Sequence, residues 1–203
     1  MTTSAICARA LLPAACAAAL AGCAGDIRPA DFGQSQPGGE LTPTGPVTTG
    51  QNEDLTFTTL VDATLEDAWT YVDFDARAQA APDGPWELRF ERFHISANGG
   101  ISGPGGVEVA PISGRSLDEV RAEPAAGWLT DAPDGDDENS VPDYAFEQGD
   151  GWYLYDFDRH VLTPRKLVWV VRSPGGATIK LQIERYYDLA GTPAWFTLRW
   201  ATL

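Results

Sequence analysis

Apolar and polar residues alternate with a period of two along much of this chain, most sharply between positions 152 and 188. That stretch, WYLYDFDRHVLTPRKLVWVVRSPGGATIKLQIERYYD, gathers aromatic and β-branched residues into runs separated by turn residues, the pattern of strands in one antiparallel sheet. Residues 167–172 are nearly all apolar, which predicts a strand covered on both faces. In 178–187 the faces separate: Ile179, Leu181, Ile183 and Arg185 lie on one, Lys180, Gln182, Glu184 and Tyr186 on the other. Gly175 and Gly176 stand between these two runs, and the spacing predicts a hairpin closed where positive φ costs glycine nothing.

The same reading extends toward the N-terminus. Residues 55–61 and 69–74 are strand-like, and 86–95 begins as a period-two strand with Trp86, Leu88 and Phe90 inward and Glu87, Arg89 and Glu91 outward. The apolar parity then switches to Phe93 and Ile95, which predicts a bulge near Arg92. Asn98-Gly99-Gly100 and the run from Ser102 to Gly106 predict a tight, close-packed loop before a short strand at 107–110. A phosphate-binding loop would need a lysine and a helix to follow, and neither does. Ser116 with Glu119 fits a capping box for a helix of about two turns over 116–122. Residues 195–201 predict a closing strand, paired through a turn at 189–193. The fold class is therefore mainly β, antiparallel sheets packed as a sandwich with one or two short helices.

Composition changes the picture at the N-terminus. Residues 1–22 carry a single positive charge, Arg9, followed by an Ala/Leu-rich stretch too short to cross a bilayer as an anchor, and so read as a leader. Leu20-Ala21-Gly22-Cys23 resembles the bacterial lipobox, which makes Cys23 the lipidated first residue of the mature protein. Acyl chains contribute about 0.8 kcal/mol per buried CH₂, so a doubly or triply acylated cysteine anchors stably, and Ala24 after it points to the outer membrane. With Cys7 and Cys16 leaving in the leader and Cys23 acylated, no thiol remains for a disulfide or a zinc site. Pro, Gly, Thr and Ser dominate 26–52, so 23–53 is expected to be a flexible linker and 54–203 the folded domain. The formal charge of −15 argues against nucleic acid or anionic headgroups as partners. Carboxylates cluster at Asp131, Asp134, Asp136, Asp137, Glu138 and Asp143, but Asn139 stands where a calcium loop needs glycine and Ala145 where it needs the closing Glu, so the segment is expected to be a solvated loop.

Several of these residues, in order, resemble the HmuY-like bacterial lipoproteins. The resemblance is carried by Trp86-x-x-x-Phe90-x-Arg92, Asn98-Gly99-Gly100 with Ser102-Gly103, Trp152-Tyr153-x-Tyr155, Val170-Val171-Arg172, and Lys180-Leu181-Gln182-Ile183 with Tyr186; with the lipobox it runs from about Leu55 to Asp188. It implies a mostly β fold likened to a hand, surface exposure, and haem binding with transfer to an outer-membrane receptor. In the type member two histidines grip the iron, one before the Trp-x-x-aromatic strand and one in a loop after it. Here 139–151 holds no His, and with no Met beyond Met1 the axial donors reduce to His94, His160 and the tyrosines. The family's histidine pair thus has no direct match here, and the candidate haem-binding residues are His160, Tyr153, Tyr155 and His94, with His94 on a strand where the type member has no ligand.

Each candidate also has a plain structural reading. His160 precedes the Pro164 turn and His94 sits on a strand, positions where a hydrogen-bonded histidine is ordinary, and strand aromatics are most often core. Two functions compete: a carrier for haem or another flat hydrophobic ligand, and an envelope protein-interaction module that keeps the fold without the ligand. Enzymatic activity is not expected, since Ser102 lacks the Gly-x-Ser-x-Gly elbow, with Pro104 at the last glycine position.

Overall fold

The computed structural model describes residues 41–135 and 140–203. The leader, Cys23 and residues 136–139 of the acidic segment lie outside them. Among the described residues, twelve strands form three antiparallel sheets. The largest has the order β1-β2-β12-β11-β10-β7, from β1 (Val47–Gln51), β2 (Phe57–Asp62), β7 (Glu108–Ser113), β10 (Leu167–Arg172), β11 (Ile179–Tyr187) and β12 (Pro193–Thr202). A second sheet, β4-β3-β5-β6, is built from β3 (Thr70–Asp73), β4 (Ala78–Gln79), β5 (Leu88–Glu91) and β6 (His94–Ala97). The third is a lone hairpin of β8 (Tyr153–Asp156) and β9 (Val161–Pro164).

The inward residues of the first two sheets share one core. Phe57, Leu181, Leu198 and Trp200 from the large sheet meet Val72, Leu88, Phe90 and Ile95 from the smaller one. Ring contacts cross the layers, Phe90 on Phe196 at 5.0 Å and Phe74 edge-on to Trp200 at 5.1 Å. The prediction for 167–172 holds: Trp169 and Val171 enter this core, while Val168 and Val170 are covered on the other face by Leu117 and Val120. β12 alternates as read, with Phe196, Leu198 and Trp200 buried.

Elsewhere the structure departs from the sequence reading. Val47–Gln51, assigned to the flexible linker, is an edge strand paired with β2 along its whole length, because Thr and Val suit a pleated surface despite the Pro/Gly-rich surroundings. The parity switch near Arg92 marks a tight turn rather than a bulge. Arg92 has φ 53°, and β5 folds straight back onto β6 with Glu91 opposite His94. Tyr186, placed on one face with Lys180, Gln182 and Glu184, is buried against Trp152 and Phe196, because irregularities between Ile183, Arg185 and Tyr187 flip the parity of β11. Gly175 and Gly176 do close the β10–β11 connection, but neither has positive φ. A Cβ at 176 would sit 2.1 Å from the Asp75 carboxylate, the end of an exposed side chain that could turn aside. The helix expected over 116–122 shrinks to a 3-10 turn, Leu117–Glu119, with Ser116 N–H donating to the Glu119 carboxylate at 2.8 Å. The chain is already extended at Val120, with φ −82° and ψ 108°, which ends the turn there.

The glycine loop is as close-packed as predicted. It wraps the Asn98 side chain, whose Nδ2 donates to Trp86 O at 2.9 Å and whose Oδ1 accepts from Gly105 N–H at 3.0 Å. A Cβ on Gly103 would lie 2.0 Å from that same oxygen. No helix among the described residues is long and apolar enough to cross a membrane.

Candidate functional site

The β5–β6 hairpin brings Phe93 and His94 to the rim of the core, where a cavity of about 700 Å³ opens. Its other walls are Tyr153 at the start of β8 and the segment 141–151, including Asp143, Glu147 and Asp150. This volume falls within the range of small-molecule sites, roughly 300–1,000 Å³. The 141–151 wall is held by Gln148, whose amide donates to Thr130 O at 2.8 Å and Asp143 O at 2.9 Å.

His94 is fixed from three sides. Its Nδ1 lies 2.9 Å from one Glu147 carboxylate oxygen and 3.2 Å from the other. The Phe93 ring sits 4.2 Å away and the Tyr144 ring 5.4 Å, edge-on. An ionised carboxylate only accepts, so Nδ1 carries the proton toward Glu147, and Nε2 is the ring nitrogen not engaged by it. A carboxylate holding one imidazole nitrogen so that the other can bind metal is how metal-ligating histidines are oriented. Burial pushes the Tyr153 phenol above its usual range, and the Glu147 charge adds to the shift. Its neutral form is therefore favoured, which suits a hydrogen-bonding or stacking wall better than a phenolate ligand.

The remaining candidates lie elsewhere. Tyr155 and His160 are outside this cavity, on the projecting β8–β9 hairpin, where the Tyr155 hydroxyl and His160 Nδ1 are 2.7 Å apart. Both are exposed, and His160 occupies the turn with φ 55°. The structure thus joins His94 with Tyr153 and sets His160 with Tyr155 apart from them. Sequence reasoning missed Glu147, 53 positions from His94 and without any local signal.

It also placed Asp131 in a solvated loop, whereas Asp131 is 1% exposed. Its carboxylate accepts from Ser96 Oγ at 2.7 Å, Ala97 N–H at 3.1 Å and Ala145 N–H at 2.8 Å, joining β6 to the segment that lines the cavity. Burial raises its pKa, against the opposing pull of the Ala145 N–H, the Ser102 and Ser96 hydroxyls and the Ala97 N–H. Among the described residues no His/Cys/Asp/Glu group has the arrangement of a metal-ion site.

The family model described as HmuY protein matches residues 65–200. Solved structures share the fold at low identity. One, from Bacteroides fragilis NCTC 9343 and provisionally described as a lipoprotein, is 18% identical with a TM-score of 0.56 over 75% of this chain and 93% of its own. Another, from Bacteroides vulgatus ATCC 8482 and provisionally described as a HmuY-like heme binding protein, is 17% identical with a TM-score of 0.56 over 71% and 90%. The apo HmuY analog of Tannerella forsythia is 14% identical with a TM-score of 0.55 over 71% and 94%. No curated protein matches the chain.

Proposed function

The chain belongs to the HmuY family, and from that premise we propose that it is a non-enzymatic, lipid-anchored envelope protein that binds haem in the cavity between Phe93, His94, Glu147 and Tyr153. The observation that carries this reading is His94 with Nδ1 tied to Glu147, which orients the imidazole at the wall of a cavity of suitable size. Haem would supply an iron centre needing an axial nitrogen, and His94 Nε2 is the donor these residues offer. Phe93 and Tyr153 would pack on the flat ring, and Glu147 would keep the imidazole oriented. His160 and Tyr155 are not part of this site.

Titrating haemin into the mature chain tests it. A Soret shift is expected at micromolar protein; His94→Ala abolishes it, Glu147→Gln weakens binding by about 10-fold, and His160→Ala leaves it unchanged. A wild-type spectrum identical to that of free haemin ends the reading. Anchoring at the outer membrane through Cys23 and delivery to a receptor there are part of the same proposal. Membrane fractionation of Cys23→Ala checks the anchor, with release into the soluble fraction expected.

An exposed apolar hairpin favours a second reading, an envelope protein-interaction module. Leu154 is 51% and Phe157 80% exposed, well beyond the usual for side chains of this size. Capture of an envelope protein that survives His94→Ala and is lost in Leu154→Asp/Phe157→Asp would favour it.

A further inference from the structure

A second cavity, of about 860 Å³, lies against the first and shares the wall from Gln148 to Gly151 with it. Neither reading above makes use of it. Its apolar lining is aliphatic, with Leu129, Leu154 and Leu167 reaching it. The aromatic residue in the lining, Trp169, is only 2% exposed and so offers no ring face for stacking. A flat aromatic ligand therefore finds its surface in the first cavity, and an alkyl chain finds it here.

The polar end of this cavity is cationic. Arg165 and Lys166 line it side by side, against a single carboxylate, Asp150, in the shared wall. Elsewhere Arg172 is paired with Glu108 and Glu123, and Arg199 with Asp54. Among the described residues neither Arg165 nor Lys166 has an ion-pair partner. Arg165 is nonetheless held in place. Its backbone N–H donates to Trp152 O at 2.8 Å and its Nε to Tyr153 O at 3.1 Å. Both terminal nitrogens of the guanidinium remain for an incoming oxyanion. Two unpaired cations beside an aliphatic wall, in a chain of formal charge −15, point to a ligand that brings its own carboxylate.

We propose that this second cavity binds an amphipathic carboxylate of the fatty-acid type, with its alkyl chain over Leu129, Leu154 and Leu167 and its headgroup on Arg165 and Lys166. The site does not depend on His94 or on haem.

Dansyl-undecanoic acid titrated into the mature chain, with displacement by dodecanoic acid, provides the test. Saturable fluorescence enhancement is expected, displaced by dodecanoate but not by methyl dodecanoate. Binding weakens by at least about tenfold in Arg165→Gln/Lys166→Gln, equivalent to about 1.4 kcal/mol, and stays unchanged in His94→Ala. Lys166→Gln alone, at an exposed position, weakens it in the same direction and guards against misfolding of the double variant. Absence of saturable binding overturns the proposal, as does equal displacement by acid and ester. If His94→Ala abolishes binding while the double variant keeps it, the acid occupies the first cavity, and this assignment fails while the haem reading stands.

Discussion

Two hairpins of this protein each carry one histidine beside aromatic residues, yet the fold treats them in opposite ways. In β5–β6, Phe90 and Ile95 are fully buried, Asp131 ties Ser96 and Ala97 to the neighbouring segment, and His94 is clamped by Glu147. β8–β9 is held along one side, by Leu162 N–H on the Tyr187 hydroxyl at 3.0 Å and by Tyr153 and Leu162 packing against the core. Its tip leaves Phe157 80% exposed and His160 bonded to nothing more rigid than Tyr155. A two-stranded ribbon gains independent stability only from what it packs against. An imidazole on the welded hairpin is therefore preorganised, and one on the projecting hairpin must be ordered by whatever it meets.

Asp131→Ala should break this contrast most severely, because it strands Ser96 Oγ, Ala97 N–H and Ala145 N–H in the interior. At about 1–3 kcal/mol for each unmet buried group, a loss above about 3 kcal/mol is expected in urea unfolding. A loss below about 1 kcal/mol would show that β6 is not held through this carboxylate.

Glu87 gives the next largest effect, with a pH signature. The residue just before β5 is 7% exposed and accepts from Phe74 N–H at 2.9 Å. Burial raises its pKa from 4.5 to about 7, with the Asp73 and Asp75 charges adding and the Phe74 N–H opposing. The folded state therefore binds the proton more tightly than the unfolded chain, so this contribution is fully present below pH 4.5 and is lost as the pH rises through about 7. Glu87→Gln should remove that slope and stabilise the protein at pH 8 by on the order of 2–3 kcal/mol at most. Parallel stability curves for wild type and variant between pH 5 and 8 would contradict it.

Smallest of all are the effects on the projecting hairpin. His160→Ala and Phe157→Ser should each change stability by less than about 0.5 kcal/mol, since their side chains are exposed. A thermal unfolding midpoint lowered as far as by Asp131→Ala would mean that the hairpin is welded after all.

The contrast also separates what the sequence discloses from what it hides. Alternation assigns faces well where pairing is regular, as in β12 and the first half of β11. It fails at Arg92 because a tight turn and a bulge shift parity alike, and at Tyr186 because an irregularity deeper in a strand leaves no composition signal. Glu87 and Asp131 look like surface acids because period and composition report direction, not depth. The glycine loop is legible because glycine is required where Val107 O and the Asn98 side chain crowd the backbone. Part of the site is legible too, in His94 and Tyr153. Its partner Glu147 is not, since a contact across 53 positions is made by the fold alone.

Asn98-Gly99 is also a sequence that ordinarily ages. Loss of ammonia from an asparagine before glycine needs the glycine nitrogen to attack the side-chain carbonyl carbon. Here Gly99 N–H donates to Ala97 O at 2.7 Å, and the Asn98 amide is held at both ends by Trp86 O and Gly105 N–H. The folded protein should therefore resist succinimide formation at this site, and peptide mass mapping after prolonged warm incubation should find isoaspartate there only in chains that were first denatured.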